Sequence, residues 1–370
     1  MNHYIHELPD WPDFYWDHKK LSGLLGSVRH RQGHLIGKME ALGFPLQAEA
    51  TLQTLTLDVL KSSEIEGEIL DRDQIRSSIA RRLGLDIGAL APTDRHIDGI
   101  VDMMLDATQN YAQPLSRERL FGWHAALFPT GYSGMHKISI GQWRDDLNGP
   151  MQVVSGALGK ERIHFEAPAA NRLKKETDMF LTWFNSKAGE DAVLKAGITQ
   201  LWFVTLHPFE DGNGRIARAI ADMALARSEQ STQRFYSMSA QIRQERKTYY
   251  DRLEKTQKGD LDITLWLEWF LNCLDRAISS TEETLGNVLQ KARFWQHHKD
   301  VPFNDRQRSM LNKLLDGFEG KLTSSKWAKI TQCSQDTALR DILDLMERGI
   351  LIKDGGGGRS TSYSLNGKLD

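Results

Sequence analysis

The chain has 370 residues, more than a single domain usually holds, so two or three domains are expected, each large enough to bury its own core. Lys plus Arg (47) nearly balances Asp plus Glu (49), which excludes a global field that would recruit nucleic acid or an anionic membrane; any such binding has to be local. No run of about 18 apolar residues occurs, and the opening "MNHYIHELPDWPDFYW" lacks both a charged n-region and an apolar h-region. Neither a transmembrane helix nor a signal peptide is expected, and the cytoplasm is the default compartment. Cys273 and Cys333 stand far apart without His or Cys at ligand spacing, which argues against a disulfide framework or structural zinc; both are expected to be small buried residues.

In "PLQAEATLQTLTLDVLKSSEIEGEIL", Leu52, Leu55 and Val59 fall on one face of a helix, and the same step reaches Ser62 and Glu66. Gly67 is a natural terminator, so Glu66 is expected in the last turn, where the helix dipole disfavours an anion. There it either frays into water or meets a cation. From Pro92 to Ala226 the pattern is mostly helical: "RHIDGIVDMMLDATQNYA", "SRERLFGWHAALF", "AANRLKKETDMFLTWFN" and "DAVLKAGITQLWFVTL" all hold spaced apolar residues. Within 137–167 the β-prone runs "MQVVS" and "RIHF" flank a glycine-containing connection and predict a hairpin. Its open edge suits either strand addition by another chain or a structural cover.

Helices are also expected around "AQIRQERKTYYDRLEKTQ" and "DITLWLEWFLNCLDRAISSTEETLGNVLQKARFW", and the polar "QHHKDVPFNDRQ" marks a boundary. Beyond it, "NDRQRSMLNKLLDGF" gives one helix and "TSSKWAKITQCSQDTALRDILDLMERG" two more around "QCS", with Ser or Thr N-caps. "ILIKDGGGGRSTSYSLN" gives two strands around a glycine-rich tip, an order that resembles a winged helix.

The chemistry concentrates in "HPFEDGNGRIAR", residues 207–218. "GNGRIA" imitates a dinucleotide fingerprint, but five residues, two of them acidic, separate it from the preceding apolar run, and no G-x-x-x-x-G-K-[ST] exists. "GRIARAIADMALAR" is strongly helix-forming, which places Gly212, Asn213 and Gly214 at a helix N-terminus, where free N–H groups and the dipole hold phosphate. Arg215 and Arg218, three apart, share a face and can clamp successive phosphates. Asp211 offers a hard oxygen for Mg²⁺, and His207, ending the preceding helix, suits a general base.

His207-x-Phe209-x-Asp211-Gly-Asn-Gly-Arg215-x-x-Arg218 resembles the complete signature of the Fic family, enzymes that move AMP from ATP onto protein hydroxyls. All eight defining positions match, and a chance match has a probability on the order of 10⁻⁸. "GQWRDDLNGPMQVVSG" with "IHFEAPAA" is similar to the family's flap, and "LPDWPDFYWD" and the winged-helix-like module resemble its extended bacterial members. The resemblance implies His207 as base, Asp211 on Mg²⁺, the Gly212-Asn213-Gly214 backbone on the α- and β-phosphates, and Arg215 on the leaving pyrophosphate. Phe209 would pack into the core, the hairpin would align the target by strand addition, and Tyr250, beside Tyr249, resembles the adenine-side aromatics, although a helical aromatic also suits the core.

Ser62-x-x-x-Glu66-Gly67 matches the family's inhibitory-helix pattern, in which the glutamate pairs with the second arginine, here Arg218. The resemblance thus implies a self-inhibited adenylyltransferase using ATP and Mg²⁺, with a protein substrate bearing a Ser, Thr or Tyr hydroxyl; a homodimer is left open by the sequence, and no membrane partner is expected. Glu66 serves equally for the reverse reaction, and some members move other phosphate-linked groups. A winged-helix transcription regulator is the contrasting reading, but residues 321–370 hold eight basic and six acidic side chains, and the candidate recognition helix carries Asp336, Asp341, Asp344 and Glu347. The expected architecture is mainly α: an N-terminal helical segment (1–90) with the inhibitory helix near 50–67, a Fic helical core with a β-hairpin flap (91–280), a linker helix (281–300) and a winged-helix-like domain (301–370).

Overall fold

The computed structural model describes residues 4–40, 44–87, 90–147, 149–156, 159–186, 189–315, 317–318, 320–355 and 361–366. They form two compact units, Met1–Thr281 and Glu282–Asp370. The first is mainly helical: α1 (His18–Glu40), α2 (Phe44–Ile65), α3 (Arg72–Leu83), α4 (Arg95–Gln109), α5 (Arg117–Leu127), α6 (Ala170–Asn185), α7 (Ala192–Leu206), α8 (Asn213–Glu229), α9 (Met238–Gln244), α10 (Arg246–Gln257) and the beginning of α11 (Thr264–His297).

Helix α7 reads apolar all round, and every residue from Val193 to Leu206 except Lys195 is buried, as a helix without a polar face requires. Helix α8 is buried from Arg215 through Ala226, so its two arginines enter the interior on the same element as Ile216, Ala217, Ala219 and Ile220. Side-chain caps start the surrounding helices: Asp94 accepts from Ile97 N for α4, Ser116 from Arg119 N for α5, and Asp191 from Val193 N for α7. In α2, Leu52, Leu55, Val59 and Ser62 are all buried, the face the spacing predicted.

The expected hairpin is present: β3 (Gln152–Ser155) pairs antiparallel with β4 (Arg162–Glu166), from Gln152 opposite Glu166 to Ser155 opposite Arg162, with an irregularity between Val153 and Val154. Part of its connection lies outside the described residues. A second small hairpin, β1 (Tyr132–Ser133) and β2 (His136–Lys137), was not anticipated; two-residue strands carry no alternation to read.

The second unit contains α12 (Asp305–Leu315), α13 (Ser324–Ile330), α14 (Gln335–Glu347) and the antiparallel pair β5 (Leu351–Lys353) and β6 (Tyr363–Leu365), the order expected of a winged-helix-like module. Thr323 and Ser334 cap α13 and α14. Its core gathers Met310, Leu311, Trp327, Ile342 and Leu345, and Phe294 of α11 joins them. The glycine-rich tip at 356–358 lies outside the described residues. Cys273 is buried as expected, but Cys333 is only half-buried, because it stands in the turn between α13 and α14 beside the Thr331 hydroxyl.

Candidate active site

Helix α7 ends when His207 takes a left-handed conformation (φ 47°, ψ 54°), which turns the chain sharply out of the helix axis. The imidazole Nδ1 lies 3.2 Å from the Val204 carbonyl, which can only accept, so Nδ1 carries the hydrogen and Nε2 keeps its lone pair. Burial lowers the His207 pKa, the neighbouring Arg144 charge lowers it further, and the neutral, basic form is favoured. Phe209 is fully buried, stacked on His124 with ring centroids 4.2 Å apart. The Asn213 side chain closes the loop by accepting from Phe209 N (2.9 Å) and donating to Phe209 O (2.8 Å). Gly212 caps α8 at φ 78°, a left-handed geometry suited to glycine. Asp211 accepts from Gly212 N (2.6 Å) through one oxygen and from the Ser133 hydroxyl through the other.

Helix α2 ends one residue earlier than expected, at Ile65, with Glu66 just past the last turn. Gly67 (φ 89°) follows, its N–H reaching Glu64 O (3.1 Å) while Glu68 N–H reaches Ser63 O (3.0 Å). These two bonds are the Schellman termination that a left-handed glycine allows. Arg246 Nε caps the last carbonyl, Ile65 O, at 2.8 Å. The cap delivers Glu66 Oε1 to Arg218 Nη2 at 2.8 Å, a pair whose arginine side chain is 2% exposed and whose glutamate is 31% exposed. Ser62 contributes twice, its hydroxyl accepting from Arg218 Nε (3.0 Å) and its carbonyl from Nη2 (2.9 Å). A Cβ on Gly214 would sit 2.2 Å from Glu66 Oε1, so the bare glycine is what lets the carboxylate lie against the start of α8.

Residues 114–225 match the Fic/DOC family, and residues 4–85 match a family described as a domain of unknown function, DUF4172. Residues 114–225 thus carry a Fic/DOC domain. It is 30% identical over 115 residues to Protein adenylyltransferase Fic of Nematostella vectensis, a match covering 30% of this chain and only a quarter of that protein's length. Its fold is similar to that of a Fic family protein from Desulfovibrio desulfuricans G20 (19% identity, 93% of this chain and 96% of that one, TM-score 0.53). It is also similar to a Fic domain containing signaling protein from Bacteroides thetaiotaomicron VPI-5482 (17% identity, 69% and 95%, TM-score 0.50).

The Fic loop opens on a cavity of about 510 Å³ lined by Glu66, Gln152 to Ser155 of the hairpin, His207, Asp211, Gly212 to Gly214, and both Tyr249 and Tyr250. Tyr249 is buried against Trp266 and Trp269, whereas Tyr250 is half-buried with the Arg246 guanidinium 5.0 Å over its ring. Arg215 Nε and Arg218 Nη1 are buried and have no hydrogen-bond partner among the described residues, donors left over for an anion. The hairpin is anchored through Glu254 of α10, which accepts from Arg162 (3.0 Å), His164 Nδ1 (2.7 Å) and Lys258 (2.7 Å). Despite its partial burial, those three donors hold the Glu254 pKa down at about 2.

Three partners of the motif escaped the sequence reading. Arg144, its side chain fully buried, donates to His207 O through Nε (2.8 Å) and also reaches Pro168 O, tying the loop to the hairpin's end. Ser133 sits on the unanticipated β1. Glu68, one residue beyond the inhibitory pattern, accepts from Arg215 Nη1 at 2.9 Å. Their only local signals were an arginine in the flap-like "GQWRDD" and a second acid in "IEGE".

Proposed function

We propose that the chain is a protein adenylyltransferase, which moves AMP from ATP to a Ser, Thr or Tyr hydroxyl of a protein presented in extended form beside β3, and to itself. One observation carries the reading: a histidine with a free Nε2, Asp211 and the Gly212–Gly214 turn that opens α8 line a single cavity, and the next turn of that helix carries two buried arginines with unspent donors. His207 Nε2 takes the hydroxyl proton, the oxygen bonds to the α-phosphorus, and the bond to the β-phosphate oxygen breaks to release pyrophosphate. Gly212, Asn213 and Gly214 receive the α- and β-phosphates at the positive end of α8, Arg215 meets the leaving pyrophosphate and Arg218 the γ-phosphate. Tyr250 borders the adenine side.

Asp211 fits Mg²⁺ by its chemistry: each oxygen spends one hydrogen bond and keeps a lone pair beside the cavity. The ion would neutralise phosphate charge there. With Glu66 and Ser62 on Arg218, the γ-phosphate has no seat, so the resting chain is inhibited. Because Glu66 and His207 border the same cavity, removal of AMP from a modified protein is the second reading. The proposal does not extend to DNA binding: Asp341 of α14 is already spent on Arg306 (2.7 Å), and the remaining acids oppose phosphate. The test is labelling by α-labelled ATP, expected to be slow in the wild type and faster in Glu66→Gly.

A further inference from the structure

The segment that blocks Arg218 does not stop at Glu66. Arg215 and Arg218 lie one helical turn apart on α8, and the Schellman cap at Gly67 turns the chain so that two acids separated by one glycine each reach one of them: Glu66 to Arg218 at 2.8 Å, Glu68 to Arg215 at 2.9 Å. The Arg215 side chain is 7% exposed and its guanidinium lies 5.2 Å over the Phe128 ring, so its position is set before any ligand arrives. The second Glu68 oxygen meets His96 Nε2 in a short contact, and His96 Nδ1 lies 3.1 Å from Leu127 O. A carbonyl and a carboxylate both only accept, so both ring nitrogens donate and His96 is the imidazolium. The hydrogen bond that His96 donates to Glu68 also raises the His96 pKa. Glu68 therefore stands between two cations, one it shares with the nucleotide site and one it keeps.

We infer that Glu66-Gly67-Glu68 is a two-pronged internal mimic of a polyphosphate, in which Glu68 competes with the β-phosphate for Arg215 while His96 holds Glu68 whenever Arg215 is given up. The inference rests on the nucleotide reading above and deepens it. It also assigns a task to the domain of unknown function spanning residues 4–85, which supplies both acids. Two separate competitions follow. Only a γ-phosphate displaces Glu66, whereas any ligand with a β-phosphate has to displace Glu68, so Glu68 sets the affinity for ADP and ATP alike and leaves AMP untouched.

The two residues around Arg215 then act with opposite signs. Glu68→Gln removes the competing charge at constant shape and frees Arg215. His96→Gln removes the alternative cation, leaves Glu68 dependent on Arg215, and strengthens the competition. Competition between two anions for one guanidinium is a linkage of ordinary size, and with Glu68 32% exposed its lower range applies, about five- to tenfold.

The experiment is calorimetric titration of ADP, ATP and AMP, with excess Mg²⁺, into the full-length wild type, Glu68→Gln, His96→Gln, the double variant and Glu66→Gly, each checked for folding by circular dichroism. Expected are about five- to tenfold tighter ADP and ATP binding in Glu68→Gln, weaker binding of both in His96→Gln, Glu68→Gln-like values in the double variant, and unchanged AMP. Glu66→Gly should tighten ATP but not ADP. ADP affinity within twofold of wild type in Glu68→Gln, or tightening in His96→Gln, overturns the second prong while leaving the nucleotide site standing. Should Glu68→Gln misfold, His96→Gln alone decides by its sign. Absence of all three ligands from every folded variant would sink the nucleotide reading and this inference together.

Discussion

Replacing Glu66 by Gly leaves Arg218, with a side chain 2% exposed, without its ion-pair partner. Truncating one partner of a fully buried pair costs about 3–5 kcal/mol. Here Glu66 is about a third exposed and Arg218 retains both Ser62 contacts, so the appropriate scale is that of a hydrogen bond to a charged group, about 1.5–3 kcal/mol. The ligand-free variant should therefore melt several degrees below the wild type, at ~2–4 °C per kcal/mol for domains of this order. ATP restores the missing anion. At a hundredfold excess over its dissociation constant it contributes about 2.7 kcal/mol, and it does so in the variant without having to expel a carboxylate. Scanning calorimetry with and without ATP and Mg²⁺ reads both effects: the melting-temperature gap should narrow or invert with ATP. Equal ligand-free melting temperatures, or an ATP-induced shift no larger in the variant than in the wild type, would refute the reasoning.

Other consequences follow from the same contacts. Since burial and the Arg144 charge lower the His207 pKa from 6.5 and the neutral ring is the working form, labelling by Glu66→Gly should hold level down to pH 6.5 and fall only in more acid solution; an acid limb centred at or above 6.5 contradicts this. Adding Arg144→Met to that background removes both the tether to His207 O and the charge, so a loss of roughly tenfold or more with the acid limb shifted upward is expected, the size of a positioning error. Unchanged rate and profile would show that the tether does nothing. Burial, with the Asp222 charge adding to it, pushes the Asp58 carboxyl up to about 7. With the folded pKa above the unfolded one, stability contributed by the protonated group is complete below the unfolded value and is lost as pH rises through about 7. Asp58→Asn should accordingly raise the melting temperature at pH 8 relative to wild type more than at pH 5; no pH-dependent difference counts against it.

The parts of the fold legible in the sequence were those in which periodicity or end chemistry is local. The apolar stripe Leu52, Leu55, Val59 placed α2, the spaced apolar residues of "DAVLKAGITQLWFVTL" placed the core helix α7, and the β-prone runs placed the hairpin. The clustering of His207, Asp211, Arg215 and Arg218 was legible because twelve consecutive residues contain them. The helix face that ran out of apolar residues left Glu66 either in water or facing a cation, and only the resemblance of Ser62-x-x-x-Glu66-Gly67 to the inhibitory pattern named Arg218 as that cation. What escaped was non-local: Arg215 with Glu68 spans 147 positions, Asp211 with Ser133 spans 78, and Arg144 with His207 spans 63. Each distant partner is an ordinary polar residue in its own neighbourhood. Helix α3 carries many charges, and its amphipathic signal is weak enough that it too passed unread.

The most direct test of adenylyl transfer at this site is the intact mass of Glu66→Gly and Glu66→Gly/His207→Ala after incubation with ATP and Mg²⁺. An increment the size of one adenylyl group on the first protein and none on the second is expected. An unmodified Glu66→Gly protein, or the same increment without His207, contradicts it.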